Sequence, residues 1–267
     1  MDILVPTDFS DNATNALDYA IDIVNHLGGQ ILLYHTYDVR STTGSFISME
    51  TVLRKDAERE LEDCLHRVSK RLMPKKAGIR GQITRGDTVN LIADMADRHG
   101  FDLIVMGTQG ASGLKEVFIG SVTAGVMKKS KTPILAIPSS FKYRPISNIV
   151  IAVDSSPISS PEILQPFIQL AKSYEAKIGV LHLRNSEVDE GIDPQLDQYL
   201  GSMPYSVFHY LQQGSLSDSI SDFVIQKKAD LLCMFRHERG FWQDLFHTST
   251  TLKKIFNSPV PLLILRD

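Results

Sequence analysis

The feature that most constrains the fold is an internal repeat. Residues Asp102 to Ile137 read DLIVMGTQGASGLKEVFIGSVTAGVMKKSKTPILAI, and residues Asp230 to Leu265 read DLLCMFRHERGFWQDLFHTSTTLKKIFNSPVPLLIL. The two segments align without a gap at an offset of 230 − 102 = 128 residues, and Gly86 and Gly214 share that offset. Each copy has the pattern of a strand, a loop, a helix and a strand. Two related domains are therefore expected.

Length and charge agree with this division. The chain has 267 residues, of which 43% are hydrophobic and 22% are charged, so two domains of roughly 130 residues can each bury a core. The net charge of −3 and the isoelectric point near 6.2 provide no field for counterion release on DNA or RNA. We therefore expect no nucleic-acid partner.

Cysteine use and hydropathy suggest a compartment. Cys64 and Cys233 are the only cysteines and lie in different repeats, which disfavours a disulfide framework and favours a reducing environment. The chain starts with Met1-Asp2 without a basic leader, and it contains no run of about 18 apolar residues. These observations predict a cytoplasmic protein with no membrane partner.

In the first repeat, short apolar runs alternate with helical stripes. The helical stripes are Ala13 to Leu27 and Ile47 to Met73, followed by a helix that begins after a predicted N-cap at Asp87 and ends at Gly100. Such alternation predicts a parallel sheet with right-handed crossovers. The predicted strands are Ile3–Val5, Ile31–Tyr34, Gly81–Thr84, Leu103–Met106 and Ile134–Ile137.

Pro138 to Ser147 is polar with prolines at its flanks, which predicts a linker between domains at 1–140 and 147–267. After the linker the pattern restarts: Ile149–Val153 with Asp154 repeats Ile3–Val5 with Asp8, and Val180–His182 repeats Leu33–His35. The spacing to the next shared glycine is 86 − 35 = 51 residues in the first repeat and 214 − 182 = 32 in the second. The second repeat is thus expected to lack most of its second helix.

Pro166 falls inside a helix expected from Ser160 to Tyr174. Because an interior proline costs a helix about 3 kcal/mol, we expect a kink or a late start there.

A glycine pattern stands directly after the fourth strand. Gly107, Gly110, Gly120 and Ser121 precede a helical pattern. Glycine permits positive φ and lets backbone N–H groups approach an anion, and the N-terminus of a helix adds a positive dipole end. The pattern therefore favours a phosphate site, although its spacing is neither GxGxxG nor GxxxxGK[ST].

These residues resemble the universal stress protein family, whose ATP-binding members carry G-x2-G-x9-G-[ST] at this place. The resemblance implies an α/β fold of two tandem Rossmann-like domains, each with a five-stranded parallel sheet in the order 3-2-1-4-5 flanked by helices. Ligands bind where such a strand order reverses, which here is outside the carboxyl ends of strands 1 and 4. Asp8 and Gly107 are expected to meet at this crevice.

The resemblance also implies which residues hold the ligand. Asp8 would accept a hydrogen bond from the adenine amino group, the backbone near Thr36 would contact the base, and the glycine segment would hold ribose and phosphates. The implied ligand is ATP, with AMP as an alternative and a magnesium ion as an optional companion. By itself, Asp8 is also compatible with a helix N-cap or a turn. The nucleotide-binding residues implied are Pro6, Thr7, Asp8, Thr36, Met106, Gly107, Gly110, Gly120, Ser121 and Val122.

In the second repeat, Phe235, Glu238 and Thr248 replace the three glycines, while Ser249 matches Ser121. A side chain at the first position would obstruct a triphosphate and a carboxylate at the second would repel it, so no ATP is expected there. Asp154 is interpreted as structural. The basic loop residues are compatible with a solvated loop or with another anion; they are Arg236, His237 and Arg239.

Other chemistry has weaker support. Cys233 and His237 are two potential metal ligands without partners, so we expect no metal site. No nucleophile and base stand in a recognisable pattern, so no catalytic residue is predicted. An apolar cluster in the second repeat favours core packing, with a cover over the crevice or an interface as alternatives; it consists of Phe241, Trp242, Leu245 and Phe246.

The leading functional prediction is an ATP-binding protein that acts in stress response or signalling. One alternative is a slow ATPase or phosphotransferase with Ser121 and Asp8 as the nearest polar groups, and the other is a protein-interaction module in the second domain. The last strands, Ile134–Ile137 and Leu262–Leu265, are expected to pair as an internal pseudo-dimer, which leaves a further homodimer open.

Overall fold

The computed structural model describes residues 1–38, 46–108, 120–153, 156–184, 193, 195–201, 203–211, 216–236 and 260–267. These residues form two compact units. The first unit contains residues 1–108 and 120–132, and the second contains the described residues from 133 onward.

The first unit alternates strands and helices. Its four strands are parallel and lie in the order β3-β2-β1-β4. The elements are β1 (Asp2–Thr7), α1 (Asp11–Leu27), β2 (Gly29–Tyr37), α2 (Phe46–Ser69), β3 (Ala77–Arg85), α3 (Thr88–His99), β4 (Leu103–Gly107) and α4 (Ser121–Lys129).

The second unit has six strands in the order β5-β10-β9-β6-β7-β8. Neighbouring strands are parallel except β5 and β10, which pair antiparallel. The fifth strand of the first repeat, β5, belongs to this unit and takes part in that pairing. The elements are β5 (Ile134–Ile137), β6 (Asn148–Val153), a 3-10 turn (Pro161–Leu164), α5 (Gln165–Ser173), β7 (Lys177–Arg184), α6 (Leu196–Leu200), β8 (Tyr205–Leu211), α7 (Leu216–Gln226), β9 (Leu231–Arg236) and β10 (Leu262–Arg266).

Five strands of the second unit, β8-β7-β6-β9-β10, stand in the order 3-2-1-4-5 that the resemblance implies. Together with the order β3-β2-β1-β4 in the first unit, this confirms an α/β fold in which parallel strands dominate and helices flank the sheet. The central strands are buried on both faces, as their continuous apolar sequences predicted, whereas the edge strands β3 and β8 are partly exposed.

Side-chain alternation assigns the helices of the first unit to the two faces of its sheet. A Cβ atom on Gly81 would meet Leu61 and Leu65 of α2, and a Cβ atom on Gly107 would meet Asn12 of α1. Gly81 pairs in register with Leu33, so these positions share one face. Tyr34 and Thr36 point to the opposite face, towards α3.

Local signals set most helix ends. Asp87 caps α3, because its side chain accepts a hydrogen bond from the N–H of Asn90 at 2.9 Å, and Gly100 ends that helix with a φ of 66°. Both features were predicted. The helix that contains Pro166 starts late, at Gln165, so the proline occupies the first turn, where a backbone N–H is not needed.

The second repeat is shortened where the sequence predicted. The first repeat has the 24-residue helix α2 between its second and third strands, whereas the described part of the corresponding segment contains the five-residue helix α6. The loss removes a helix that in the first unit covers one face of β2 and β3.

The predicted linker packs against the second unit. Phe141 and Ile146 are buried, and the guanidinium of Arg144 lies over the ring of Phe141. Arg144 Nε also lies 2.6 Å from Asp230 Oδ1, while Asp230 Oδ2 accepts hydrogen bonds from the N–H groups of Ser147 and Asn148 at 2.9 Å. The segment is therefore held by an ion pair and apolar contacts.

Within the described ranges, no helix combines the length and the hydrophobicity that crossing a membrane requires.

Candidate functional site

A cavity of about 300 Å³ lies at the carboxyl ends of the strands in the first unit. It is located where the strand order changes direction, between β1 and β4. Strand ends, the start of α3 and the start of α4 all contribute to its walls. The lining residues are Pro6, Thr7, Asp8, Ala13, Tyr34, Thr36, Thr88, Ile92, Met106, Gly107, Gly120, Ser121, Val122 and Thr123.

The structure brings together nine of the ten residues that the sequence implicated, and the tenth, Gly110, lies outside the described residues. Sequence reasoning missed five of the lining residues. A usable signal existed for two of them: Tyr34 lies two residues before Thr36 on the same strand face, and Thr88 directly follows the predicted N-cap. The other three are Ala13, Ile92 and Thr123.

Asp8 belongs to a tight turn between β1 and α1. Its Oδ1 atom accepts hydrogen bonds from the N–H of Ser10 at 3.1 Å and from Ser10 Oγ at 2.5 Å. The N-cap of α1 is Ser10, whose side chain accepts from the N–H of Ala13. Of the two local interpretations of Asp8, the helix cap is therefore wrong and the turn is correct.

The turn is fixed from two sides. His35 Nδ1 lies 2.8 Å from the carbonyl oxygen of Thr7. Because a carbonyl oxygen can only accept, Nδ1 carries the hydrogen. The ring of Phe9 stacks on His35 with centroids 4.6 Å apart, although Phe9 has an unfavourable φ of 59°. These contacts hold the turn that carries Asp8 against the end of β2.

Gly107 is required by a close approach of two backbones. A Cβ atom at this position would lie 3.0 Å from the carbonyl oxygen of Asn12 and 3.2 Å from its carbonyl carbon. Neither Gly107 nor Gly120 adopts a positive φ, so the predicted conformational reason for glycine is wrong at both positions. At Gly107 the absence of a side chain lets α1 approach β4.

The start of α4 forms the wall opposite β2. The N–H of Gly120 donates to the carbonyl oxygen of Thr108 at 2.7 Å, and Thr123 Oγ1 donates to the carbonyl oxygen of Gly107 at 2.9 Å. Gly120 is the N-cap and provides no side-chain hydrogen bond to the helix. First-turn N–H groups of a helix have no partner within it, and they carry the positive end of its dipole. This wall is suited to an anion.

The second unit shows the repeat in its sheet. Pro6 pairs in register with Tyr34, and Ala152 pairs in the same way with Leu181. Phe235 occupies the position of Gly107 and is only 1% exposed. By strand register its side chain lies on the face that corresponds to the helix-facing side of Gly107. Obstruction of a ligand by Phe235 therefore stays a prediction.

The other predictions for the second crevice lie outside the described residues. They concern Gly214, Asp154, His237, Glu238, Arg239, Phe241, Trp242, Leu245, Phe246, Thr248 and Ser249.

Metal ligands do not cluster in the part of the chain that the structure describes, where no three His, Cys, Asp or Glu side chains are placed to hold an ion. Both cysteines are buried and unbridged, and burial raises the pKa of the Cys233 thiol well above its usual range. Cys233 is therefore an inert core residue at neutral pH.

Comparison with known proteins identifies the family. The chain is 29% identical over 140 residues to a universal stress protein of Methanocaldococcus jannaschii. This alignment covers 51% of this chain and 80% of that protein. It is 23% identical over 287 residues to a universal stress protein of Synechocystis, with 99% of both chains covered.

The fold is also similar to that of universal stress proteins. A crystal structure of a universal stress protein from Archaeoglobus fulgidus superimposes with a TM-score of 0.73 and 21% identity, covering 99% of this chain and 96% of that one. The model of the universal stress protein family matches residues 1–138, which is more than half of the sequence. The chain therefore belongs to the universal stress protein family.

Proposed function

We propose that the first unit binds an adenine nucleotide, with ATP as the ligand, and that the occupied state serves as a signal in a stress response. The observation that carries the proposal is the cavity between the Asp8 turn and the start of α4. It offers a hydrogen-bond acceptor at one wall and unpaired helix N–H groups at another. A molecule with an amino-bearing base and an anionic tail matches both walls.

The base is expected at the sheet. An ionised carboxylate can only accept hydrogen bonds, so Asp8 suits the exocyclic amino group of adenine. Pro6 and Met106 lie on the adjacent strands β1 and β4 and provide an apolar surface for the face of a planar ring. A volume of about 300 Å³ is within the range of small-molecule pockets, which fits a mononucleotide.

The phosphates are expected at α4. The N–H groups of Ser121, Val122 and Thr123 are in the first turn of this nine-residue helix, and the Ser121 hydroxyl is exposed beside them. Anions are stabilised at such a helix end by direct hydrogen bonds and by the dipole. A magnesium ion on the phosphates would neutralise the remaining charge, and AMP would occupy the same base and ribose positions without it.

Calorimetric titration of the full chain with ATP tests the proposal. One ATP per chain is expected. Asp8→Asn should weaken binding by about tenfold or more, because the amide replaces an acceptor with a donor while its remaining oxygen can still accept from Ser10. Asp11→Asn is the matched control, since Asp11 lies in the first turn of α1 outside the cavity and should leave the affinity unchanged.

Folded protein that takes up no adenine nucleotide would contradict the proposal, and so would two equivalent sites per chain. Equal loss of affinity in Asp8→Asn and Asp11→Asn would show that only the charge near α1 matters.

We also propose that the antiparallel pairing of β5 with β10 replaces the pairing of last strands between two separate chains, which makes the protein an internal pseudo-dimer. Each of these strands closes one repeat, and each is fully apolar over the paired segment. Light scattering should give the mass of one chain; a stable homodimer would show that a further association surface exists.

A further inference from the structure

The cavity has a polar wall that the proposed function does not explain. We propose that the Tyr34 hydroxyl donates a hydrogen bond to the purine base of the bound nucleotide, and that Tyr34, Thr36 and Thr88 together form the wall that recognises this base. The inference rests on the proposed function, because it assigns the base-specific contacts of the same site.

Tyr34 is one of the lining residues of the cavity. It pairs in register with Pro6, it precedes Thr36 by two residues on the same strand face, and it is only 1% exposed. Among the described residues, its hydroxyl has no hydrogen-bond partner. Buried hydroxyl groups almost always have one. The hydroxyl of a tyrosine that is otherwise buried and that lines a cavity is therefore suited to a ligand atom.

Strand order indicates which part of the ligand reaches Tyr34. The strands run β2-β1-β4, so β2 lies on the side of β1 away from β4 and from α4, where the phosphates are expected. Asp8 follows β1, in the middle strand of the three. A nucleotide whose phosphates lie at α4 and whose amino group faces Asp8 extends its base towards β2.

The second repeat supplies an internal comparison. By strand register and by the offset of 128 residues, Leu181, Leu183 and Leu216 correspond to Tyr34, Thr36 and Thr88. All three polar residues of the wall are thus leucines in the other repeat, whereas Ile92 of the same cavity corresponds to another isoleucine, Ile220. The hydrogen bond between Thr36 and Thr88 explains why both are polar, whereas the Tyr34 hydroxyl has no such partner among the described residues.

Hydrogen-bond chemistry assigns a direction to each group. Thr36 Oγ1 donates to Thr88 Oγ1 at 2.9 Å, so its hydrogen is already used within the wall. The Tyr34 hydroxyl can donate, whereas the Asp8 carboxylate can only accept. Adenine carries an amino donor beside unprotonated ring nitrogens, which matches an acceptor and a donor placed together. Guanine has a carbonyl oxygen where adenine has the amino group. This oxygen and the Asp8 carboxylate are both acceptors, so no hydrogen bond could form between them.

The experiment is a titration of the full chain with ATP in wild type and in Tyr34→Phe, which removes a single oxygen atom. Affinity should fall roughly 3- to 10-fold, as expected for one neutral hydrogen bond. The control is Tyr19→Phe, because Tyr19 is equally buried in the first unit but lies outside the cavity. Its affinity should stay within about twofold of wild type, with thermal unfolding used to verify that both variants are folded.

A second series identifies the contacted atom. ATP analogues in which carbon replaces N1, N3 or N7 are titrated into both proteins. One analogue should bind wild type more weakly than ATP does. The same analogue and ATP should bind Tyr34→Phe equally well, because this variant lacks the hydroxyl that would contact the replaced nitrogen.

The outcomes separate the inference from the proposed function. If wild type binds ATP and Tyr34→Phe binds it equally well, the inference fails while the proposed function stands. If Tyr34→Phe weakens ATP and all three analogues by the same factor, the hydroxyl does not contact a ring nitrogen and the inference also fails. If folded wild type binds no adenine nucleotide, both fail.

Discussion

The ends of β4 and β9 occupy equivalent positions in the two repeats, but the helix that packs against each strand end is placed differently. In the first unit α1 begins 11 − 7 = 4 residues after β1, and its backbone at Asn12 comes within 3.0 Å of where a Cβ atom of Gly107 would be. In the second unit the 3-10 turn begins 161 − 153 = 8 residues after β6, and Phe235 is buried at the position of Gly107. Gly107 is thus explained by helix packing as well as by ligand access.

The difference changes how the lost glycine motif should be understood. Phe235 at the position of Gly107 is a fully buried aromatic side chain, so it contributes to the core of the second unit as well as changing the strand end. The second unit also has a longer connection between β6 and the 3-10 turn. Pro161 begins this 3-10 turn, and Pro166 lies in the first turn of α5. The second unit thus differs from the first both in the residue at the end of its fourth strand and in the start of the helix that follows its first strand.

The largest expected effect is in the core of the second unit. Phe235→Ala should lower the free energy of unfolding by about 3–5 kcal/mol, because it removes a fully buried aromatic side chain and leaves a cavity. Urea unfolding followed by far-UV circular dichroism measures this. A loss below about 1 kcal/mol would show that Phe235 does not contribute to the core.

A smaller effect separates two aspartates at equivalent positions. Asp102 and Asp230 each accept a hydrogen bond from the backbone at the start of the neighbouring strand, but Asp230 is only 6% exposed and also pairs with Arg144. Asp230→Asn should destabilise the protein by about 2 kcal/mol, because it removes the charge of a buried carboxylate that pairs with the half-exposed Arg144 and accepts two backbone hydrogen bonds. Asp102→Asn, at an exposed site, should cost about 0.5 kcal/mol.

The same urea experiment tests this pair of variants. Equal losses would mean that Arg144 contributes nothing to the attachment of the linker segment 138–147.

The smallest effect depends on pH. Burial raises the pKa of Asp97, but hydrogen bonds from Ser130 Oγ and from the N–H groups of Lys131 and Thr132 outweigh it and hold the pKa below its ordinary value. A carboxylate with a lowered folded pKa stabilises the protein above its unfolded pKa of about 3.9, and this contribution is lost as pH falls through the folded value.

Wild type should therefore lose more stability than Asp97→Asn when the pH is lowered from 6 to 3, by about 0.5 kcal/mol because Asp97 is exposed and screened by solvent. Denaturant midpoints at a series of pH values provide the measurement. The equivalent position in the second repeat is Ile225, which is exposed, so Ile225→Ala should show no difference in pH dependence. Parallel pH profiles for wild type and Asp97→Asn would contradict this account of Asp97.

Much of the fold follows from sequence periodicity. Alternating apolar strands and helices require parallel pairing, and the repeat at 128 residues duplicates the arrangement. The convergence of Asp8, Thr36 and Gly107 also follows from topology, because the carboxyl ends of neighbouring parallel strands meet at one edge. Pro166 and Asp87 behaved as local rules predict.

The roles of Gly107 and Tyr34 could not be predicted from the sequence, because they depend on which face of the sheet each residue occupies. The glycine pattern suggested positive φ, whereas the structure shows a steric requirement at Gly107 that involves Asn12, almost a hundred residues earlier. Tyr34 ends the predicted apolar strand Ile31–Tyr34, and its sequence position gave it no part in the site. Its contribution to the cavity becomes visible only when Thr36, Thr88 and Ile92 are placed around it.

The central claim is that the first unit binds an adenine nucleotide and the second does not. The most direct measurement is photolabelling of the full chain with 8-azido-ATP, followed by proteolysis and mass spectrometry of the labelled peptides. The account predicts label only in peptides from residues 1–132, competed away by unmodified ATP. Label in peptides from residues 147–267 that ATP also competes away would contradict it.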